Sequence, residues 1–438
     1  MTTPQLTTSA DFEQLGQEMH RLISELYPIC RSITGHGFRE SLTKLQPYIP
    51  LEIHEIPSGS QVFDWTVPKE WNIRDAYVKN ARGEKVIDFQ SSNLHILNYS
   101  VPIQRTMPLS ELKEHLFTIP EYPDWIPYRT SYYRETWGFC LSQRTLDSLE
   151  EGEYEVYIDS TLEEGHLTYG EFYLPGPTSD EILISCHSCH PSLCNDNLSG
   201  MALTTLLAQH LSHHSLRYSY RFLFIPGTIG SITWLAENED KIGRIKHGLV
   251  VACVGDAGDL HYKKSRLGNA EIDRVVQHVL QQSASRYEVE EFSPYGYDER
   301  QYSSPGFNLA VGGLSRTPHG CFPEYHTSAD NLNFVQPAYL ADSFEKYLKV
   351  LNVLERNRTY LNLSPKGEPQ LGKRGLYGAF GGRKDTKVRE MTMLWVLNFS
   401  DGQHSLLDIA ERSDTDFEII SDVAEVLTEH KLLRPLDA

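Results

Sequence analysis

Residues 182–200, ILISCHSCHPSLCNDNLSG, constrain the fold of this chain more than any other stretch. The apolar run Ile182, Leu183, Ile184 reads as a buried strand. His187 and His190 follow, then Asn195, Asp196 and Asn197, a Ser199-Gly200 turn, and an apolar run over 201–211 that reads as a helix. This order places imidazole and carboxylate groups in a loop between a strand's carboxyl end and a helix, where ligands bind in open α/β sheets. Those two donor types suit a zinc-type ion. A plain polar loop with Asp196 as a helix cap fits the same residues, and on this loop alone the two readings weigh equally.

The flanking sequence extends the alternation. Strand patterns at 221–225, 248–253 and 307–311 interleave with helical patterns at 229–237, 270–281 and 337–354, which implies a largely parallel or mixed sheet covered on both faces. Upstream, 12–26 and 39–45 have helical spacing, and 51–56 alternates as a strand. Residues 57–145 differ in texture: Trp65, Trp71, Trp125 and Trp137 sit among many Tyr and Pro, with little helical periodicity. This stretch reads as a β-rich insertion over the main domain, with an independent small β domain nearly as compatible. Residues 153–158 and 167–174 alternate around Glu163-Glu164-Gly165 and read as a hairpin. The Gly/Lys/Arg-rich stretch 357–385 reads as a linker. Beyond it, helical segments at 388–397, 405–411 and 417–429 with Leu432-Leu433 suggest a winged-helix unit. The expected division is a split core at 1–56 and 146–356, an inserted β-rich domain at 57–145, and a winged-helix domain at 386–438, within the two or three domains that 438 residues allow.

Charge narrows the partners. The net charge of −19 argues against a nucleic-acid polyanion. The last helix, 415–429, carries Asp416, Glu418, Asp422, Glu425 and Glu429 and no Lys or Arg, whereas phosphate contacts need cations. A DNA-binding regulator is therefore disfavoured, and the winged helix is expected to serve packing or protein contacts. The first 16 residues lack an apolar signal core, and no apolar run reaches the ~18 residues of a membrane span. Seven cysteines, three of them Cys186, Cys189 and Cys194, fit a reduced cytoplasmic protein better than a disulfide framework. The same run matches the haem-attachment pattern C-x-x-C-H, but it follows a buried strand in a chain without an export signal.

A second loop, 320–330, carries Glu324-Tyr325-His326-Thr327-Ser328. If it reaches the first loop, His190, Asp196 and His326 supply three N/O ligands and leave a fourth position for water, the pattern of a catalytic zinc. Asp256 is a further candidate ligand, although Gly255-Asp256-Ala257-Gly258 reads slightly better as a turn. His187 competes with His190, one binding metal while the other orients it or lines the pocket. Tyr128, Tyr132, Tyr133 and Trp137 either line a pocket or form the insertion's own core, and their density favours the core.

The order His…Asp-Asn-x-Ser-Gly, strand-Gly-Ser, Asp, then Tyr-His-Thr…Asp resembles the zinc aminopeptidase fold. More closely, the chain resembles a bacterial family of aminopeptidase-like proteins with an inserted β domain and a C-terminal winged helix. Cys30-Arg31-Ser32-Ile33-Thr34-Gly35, the run from Val62 to Trp71, Trp137-Gly138-Phe139-Cys140 and Cys189-His190-Pro191 carry that likeness across nearly the whole chain. It implies an α/β core with a mixed sheet, His190, Asp196 and His326 as metal ligands, and Asp298 in the same pocket. Such peptidases carry a glutamate base where this chain has Gly227. A positioned base contributes about 10²–10⁴-fold, so Gly227 weakens hydrolysis without excluding metal binding. Glu324 is the nearest motif carboxylate able to substitute, with a supporting role behind the ligands slightly favoured. The implied activity is zinc-dependent hydrolysis of an amide in a peptide or an N-acyl or aminoacyl conjugate. The alternative is a catalytically inactive metal-binding scaffold in surface-polysaccharide biosynthesis. A homo-oligomer is compatible with either.

Overall fold

The computed structural model describes residues 5–7, 10–376 and 386–436. Its core is an eight-stranded mixed sheet: β1 (Glu52–Pro57), β2 (His166–Leu174), β3 (Glu181–His187), β4 (Ser219–Ile225), β5 (Ile245–Val251), β6 (Leu260–Lys263), β7 (Tyr287–Glu290) and β8 (Val311–Ser315). The order across it is β1-β2-β4-β3-β5-β8-β6-β7. Strand β3 runs parallel to both neighbours, with Ile184 beside Phe222 on one side and Leu249 on the other. All three are fully buried, each contributing about 1.5–3 kcal/mol. The chain leaves β3 to form β4 on one side and then β5 on the other. The carboxyl end of β3 is therefore a topological switch point, where diverging connections leave a crevice.

Helices Phe12–Leu26, Ser199–Leu211 and Pro337–Arg356 pack on one another over this sheet, whereas Ile229–Glu237 packs with Glu299–Tyr302 and β2. Helix Ser199–Leu211 is buried on nearly every residue, which explains its continuous apolar sequence. Among the described residues no helix is long and apolar enough to cross a membrane.

The insertion carries a second, antiparallel sheet, ordered Lys85–Asp88, Glu70–Lys79, Glu153–Glu163, Ile103–Pro108. The hairpin expected between 153–158 and 167–174 does not form: Glu153–Glu163 pairs along its length with Glu70–Lys79, while β2 pairs with β1 and β4. The chain crosses between sheets at Glu164-Gly165, where a Cβ on Gly165 would collide with Glu70. The insertion's sheet thus runs past the expected edge at residue 145.

Three further expectations shift. The strand read at 307–311 forms at Val311–Ser315, and β6 and β7 were not read at all. Within the stretch read as a linker, Thr359–Asn362 is a strand at the centre of a small sheet with Asp401–Ser405 and Leu433–Pro435. Residues 377–385 lie outside the described residues. Helices Thr386–Phe399, Leu406–Ser413 and Phe417–Glu429 complete this unit. Four of its acids pair with arginines of the core: Arg356 with Asp422 and Glu425 at 3.1 Å each, and Arg274 with Asp408 and Glu411. The acidic helix is thus used, in part, for packing.

Candidate metal centre

The loop after β3 is held from three directions. Asn197 clamps two strand ends: its Nδ2 donates to the carbonyls of His187 (3.1 Å) and Val251 (2.9 Å). Its Oδ1 accepts from Gly200 N, and a Cβ on Gly200 would strike that side chain, so glycine follows from the close approach. Asp330, fully buried in the His326 loop, accepts from the backbone N–H of Asn195 (2.6 Å) and Asp196 (2.9 Å). Burial pushes the Asp330 carboxyl up to about 7, against the pull of these two donors. Asn195 in turn donates to Asp256 Oδ2 at 2.8 Å and accepts from Gly255 N at 2.9 Å.

Asp196, with no exposed surface, is the hub. Its Oδ1 lies 2.8 Å from His187 Nε2 and accepts from Tyr297 Oη at 2.7 Å. Its Oδ2 lies 3.0 Å from His190 Nδ1 and 3.0 Å from His326 Nε2. His187, His190 and Asp196 offer donor atoms within 4.8 Å of one another, and His326 joins them through Asp196. Burial opposes charge on Asp196, but His190 and the close imidazoles of His187 and His326 outweigh it and hold the carboxyl well below its usual value. The rings are fixed by stacking, Tyr297 on His187 at 4.5 Å and Tyr325 on His326 at 3.9 Å. His326 adopts a left-handed φ of 55°, and its carbonyl accepts from Tyr128 N at 2.7 Å.

These residues fit a divalent cation. Asp196 Oδ2 and His326 Nε2 are buried, 3.0 Å apart, and neither has a hydrogen-bond partner of acceptable geometry. A buried polar atom without a partner costs about 1–3 kcal/mol, so two such atoms aimed at one place call for a third party. His187 differs: its Nε2 is engaged with Asp196 Oδ1, and its Nδ1 faces the amide nitrogen of Asn197 at 3.4 Å.

The structure thus brings His190, Asp196 and His326 together, with His187 beside them. It places Asp256 one step back, because Asn195 Nδ2 occupies its Oδ2 while Gly258 N (2.6 Å) and Thr317 Oγ1 (2.6 Å) occupy its Oδ1. Glu324 braces its loop through its carbonyl, which accepts from Thr327 N and Oγ1. Among the described residues no hydrogen bond or ion pair joins its carboxylate to Asp196, His190 or His326. Asp298 is a different case. Its Oδ1 accepts from Thr228 N (2.8 Å) and Ser231 Oγ (2.7 Å), and its Oδ2 is buried without a partner. Burial raises its carboxyl, against the opposing influence of His187. A Cβ on Gly227 would meet His187 Cβ at 3.6 Å and Cys189 Sγ at 3.7 Å, ordinary contacts, so a side chain there fits beside the cluster. Sequence reasoning missed Tyr297 as a donor to Asp196 and Asp330 as the loop's anchor. Tyr297 directly precedes Asp298, and Asp330 ends the 320–330 loop, but only contact across the fold gives them roles.

The mixed sheet, the switch-point histidines and the appended winged helix define an aminopeptidase-like α/β protein. The chain matches a domain family of unknown function, DUF4910, over residues 20–357, and a winged helix-turn-helix family over residues 358–435. It belongs to the DUF4910 family, with a bacterial aminopeptidase-like core, an inserted β domain and a C-terminal winged helix. It is 57% identical over 421 residues (96% of this chain, 97% of the other) to a Clostridium acetobutylicum protein whose name gives it an aminopeptidase-like domain and a provisional place in polysaccharide biosynthesis. A crystal structure from Clostridium acetobutylicum, provisionally named a peptidase, superposes with a TM-score of 0.93 at 55% identity, covering 97% of this chain and 98% of that one. A zinc aminopeptidase from Bacillus subtilis shares the fold at 12% identity, with a TM-score of 0.56 over 76% of this chain and 94% of that one.

Proposed function

We propose that this protein is a zinc-dependent amide hydrolase acting on a peptide or an N-acyl or aminoacyl conjugate, with His190, Asp196 and His326 holding the metal. The observation that carries the reading is the buried, unpartnered pair Asp196 Oδ2 and His326 Nε2, 3.0 Å apart. Zinc bound there would supply Lewis acidity toward an amide carbonyl and toward water. Tyr297 donates to Asp196 Oδ1, and its phenol, raised far above the usual range chiefly by burial and then by Asp196, stays protonated for that purpose. Asp330 fixes the backbone from which Asp196 projects. Glu324 is the carboxylate named from the sequence in place of the glutamate absent at residue 227; Asp298, fully buried with its Oδ2 unpartnered and its carboxyl raised by burial, is a second candidate to accept a proton.

Gly227 favours a second reading, a metal-binding scaffold without turnover. The name of the Clostridium acetobutylicum relative gives that protein a place in polysaccharide biosynthesis, which supports keeping an N-acyl conjugate in the substrate set. All seven cysteines are free, which supports a cytoplasmic setting. Elemental analysis of the purified protein, with amidase assays of the wild type and Gly227→Glu across an aminoacyl and N-acyl library, decides between the readings. The hydrolase reading expects stoichiometric zinc and a rise of about 10²–10⁴-fold in the variant. Zinc without activity in either form favours the scaffold. Absence of metal removes both.

A further inference from the structure

A cavity of about 640 Å³ opens from His326 into the inserted region, and its lining includes Tyr128, Arg129, Arg134, Trp137 and Glu114. The cavity is continuous with the metal cluster because the segment carrying Tyr128 is pinned to the His326 loop. Ile126 N donates to Ser328 Oγ (3.0 Å), Ser328 N to Ile126 O (2.8 Å), and Tyr128 N to His326 O (2.7 Å). The Tyr128 ring stands 5.2 Å from His190 and 5.1 Å from His326. One wall of the crevice is therefore supplied by the insertion and the other by a candidate metal ligand.

The charge of that wall is out of keeping with the rest of the chain. There are 59 acidic residues against 40 Lys and Arg, and several arginines elsewhere, among them Arg39, Arg221, Arg316 and Arg356, are ion-paired, while fully buried Arg31 is held by the carbonyls of Leu26 and His190. Arg129 and Arg134 are both exposed, and among the described residues neither guanidinium forms an ion pair. Arg129 lies over the Phe117 ring at 5.6 Å, which orients it without neutralising it. Glu114, the one acid in the lining, is paired with neither arginine. Trp137, stacked on His115 at 3.6 Å, gives the same wall a flat apolar surface. Two unpaired guanidinium forks beside an aromatic plane suit a planar, delocalised anion on an organic body.

We infer that the natural substrate bears a carboxylate, recognised by Arg129 and Arg134 in the crevice walled by the insertion, while its amide lies toward His326. The placement of the amide rests on the hydrolase reading above; the preference for an anion does not. The aromatic residues of the insertion, taken from sequence as its own core, here have a second use: Tyr128, though largely buried, lines the crevice with Trp137 and the two arginines.

The test is titration calorimetry of the full-length protein with N-acetyl-L-glutamate α-amide, its neutral isostere N-acetyl-L-glutamine α-amide, and inorganic phosphate. The acid is expected to bind about 10-fold more tightly than the isostere, with the preference falling as salt rises. Arg129→Gln/Arg134→Gln should abolish the preference while leaving the weak binding of the isostere and the zinc content unchanged. Equal binding of acid and isostere, no binding of the acid, or a preference that survives in the double variant overturns the inference. Binding of phosphate but not of the acid overturns the assignment to a carboxylate. Zinc content and turnover are measured separately, so loss of the hydrolase reading leaves this outcome legible.

Discussion

Two of the buried charged clusters among the described residues are built on opposite principles. In the first, Arg221 on β4 donates through Nε and Nη2 to both oxygens of Glu181 (2.7 and 3.0 Å) and through Nη1 to Glu171, whose second oxygen accepts from Trp234 Nε1 at 2.8 Å. Every charge there has a partner within the chain. In the second, three imidazoles and a phenol surround Asp196, yet Asp196 Oδ2 and His326 Nε2 are left without a hydrogen bond. A cluster complete in itself fixes the fold; a cluster that is incomplete at one point is preformed for something the chain does not supply.

The largest effect is expected where the cluster is complete. Arg221→Met leaves two carboxylates unpaired in the interior and should lower stability by about 3–5 kcal/mol, read by denaturant unfolding, with zinc content per folded molecule unchanged. Adding Glu171→Gln and Glu181→Gln should recover much of that loss. A zinc content that falls with Arg221→Met would mean the two clusters are not separable. Next is Asp196→Asn, which removes the one carboxylate charge of the incomplete cluster while preserving its shape. Zinc affinity should drop more than about 100-fold by competition with a chelator, while stability without metal changes less than in Arg221→Met. Unaltered affinity would place Asp196 with Arg221 as a structural charge.

The same contrast explains what could be read in the sequence. Strand β3 and its loop were legible because a fully buried strand must be continuously apolar, so the polar residues that end it stand out. The two loops bearing His190, Asp196 and His326 could be named, but Asp330 holding the Asp196 backbone and Tyr297 capping Oδ1 are contacts across more than 100 residues of chain. Strand β8 was displaced in the reading because Gly312-Gly313 hides it. Gly312 is needed there, since a Cβ would run into Tyr262. Strands β6 and β7 are four residues each, the last two strands on one side of the sheet, too short to show a period. The false hairpin arose because alternation reports that a strand has two faces, not which sheet it joins.

A third charged pair lies between the extremes and sharpens the comparison. Arg39, on the helix His36–Leu45, meets Glu70 at the seam between core and insertion, and Glu70 also accepts from Asn72 Nδ2 (3.0 Å) and His166 N (3.0 Å). Burial would raise the Glu70 carboxyl, but Arg39, Asn72 and His166 together bring it down to about 2. The unfolded chain binds this proton near pH 4.3, so the folded state is the poorer proton acceptor. The stabilisation is complete above about pH 4.5 and fades as pH falls through about 2. Because Arg39 is partly solvated, the contribution is about 1–2 kcal/mol rather than the full linkage value. Comparing wild type with Glu70→Gln by urea unfolding from about pH 6 down to about pH 2.5 should show a gap that narrows on acidification. A gap that stays constant with pH would assign the effect to lost packing at the seam. The pair would then belong with neither the complete cluster nor the incomplete one.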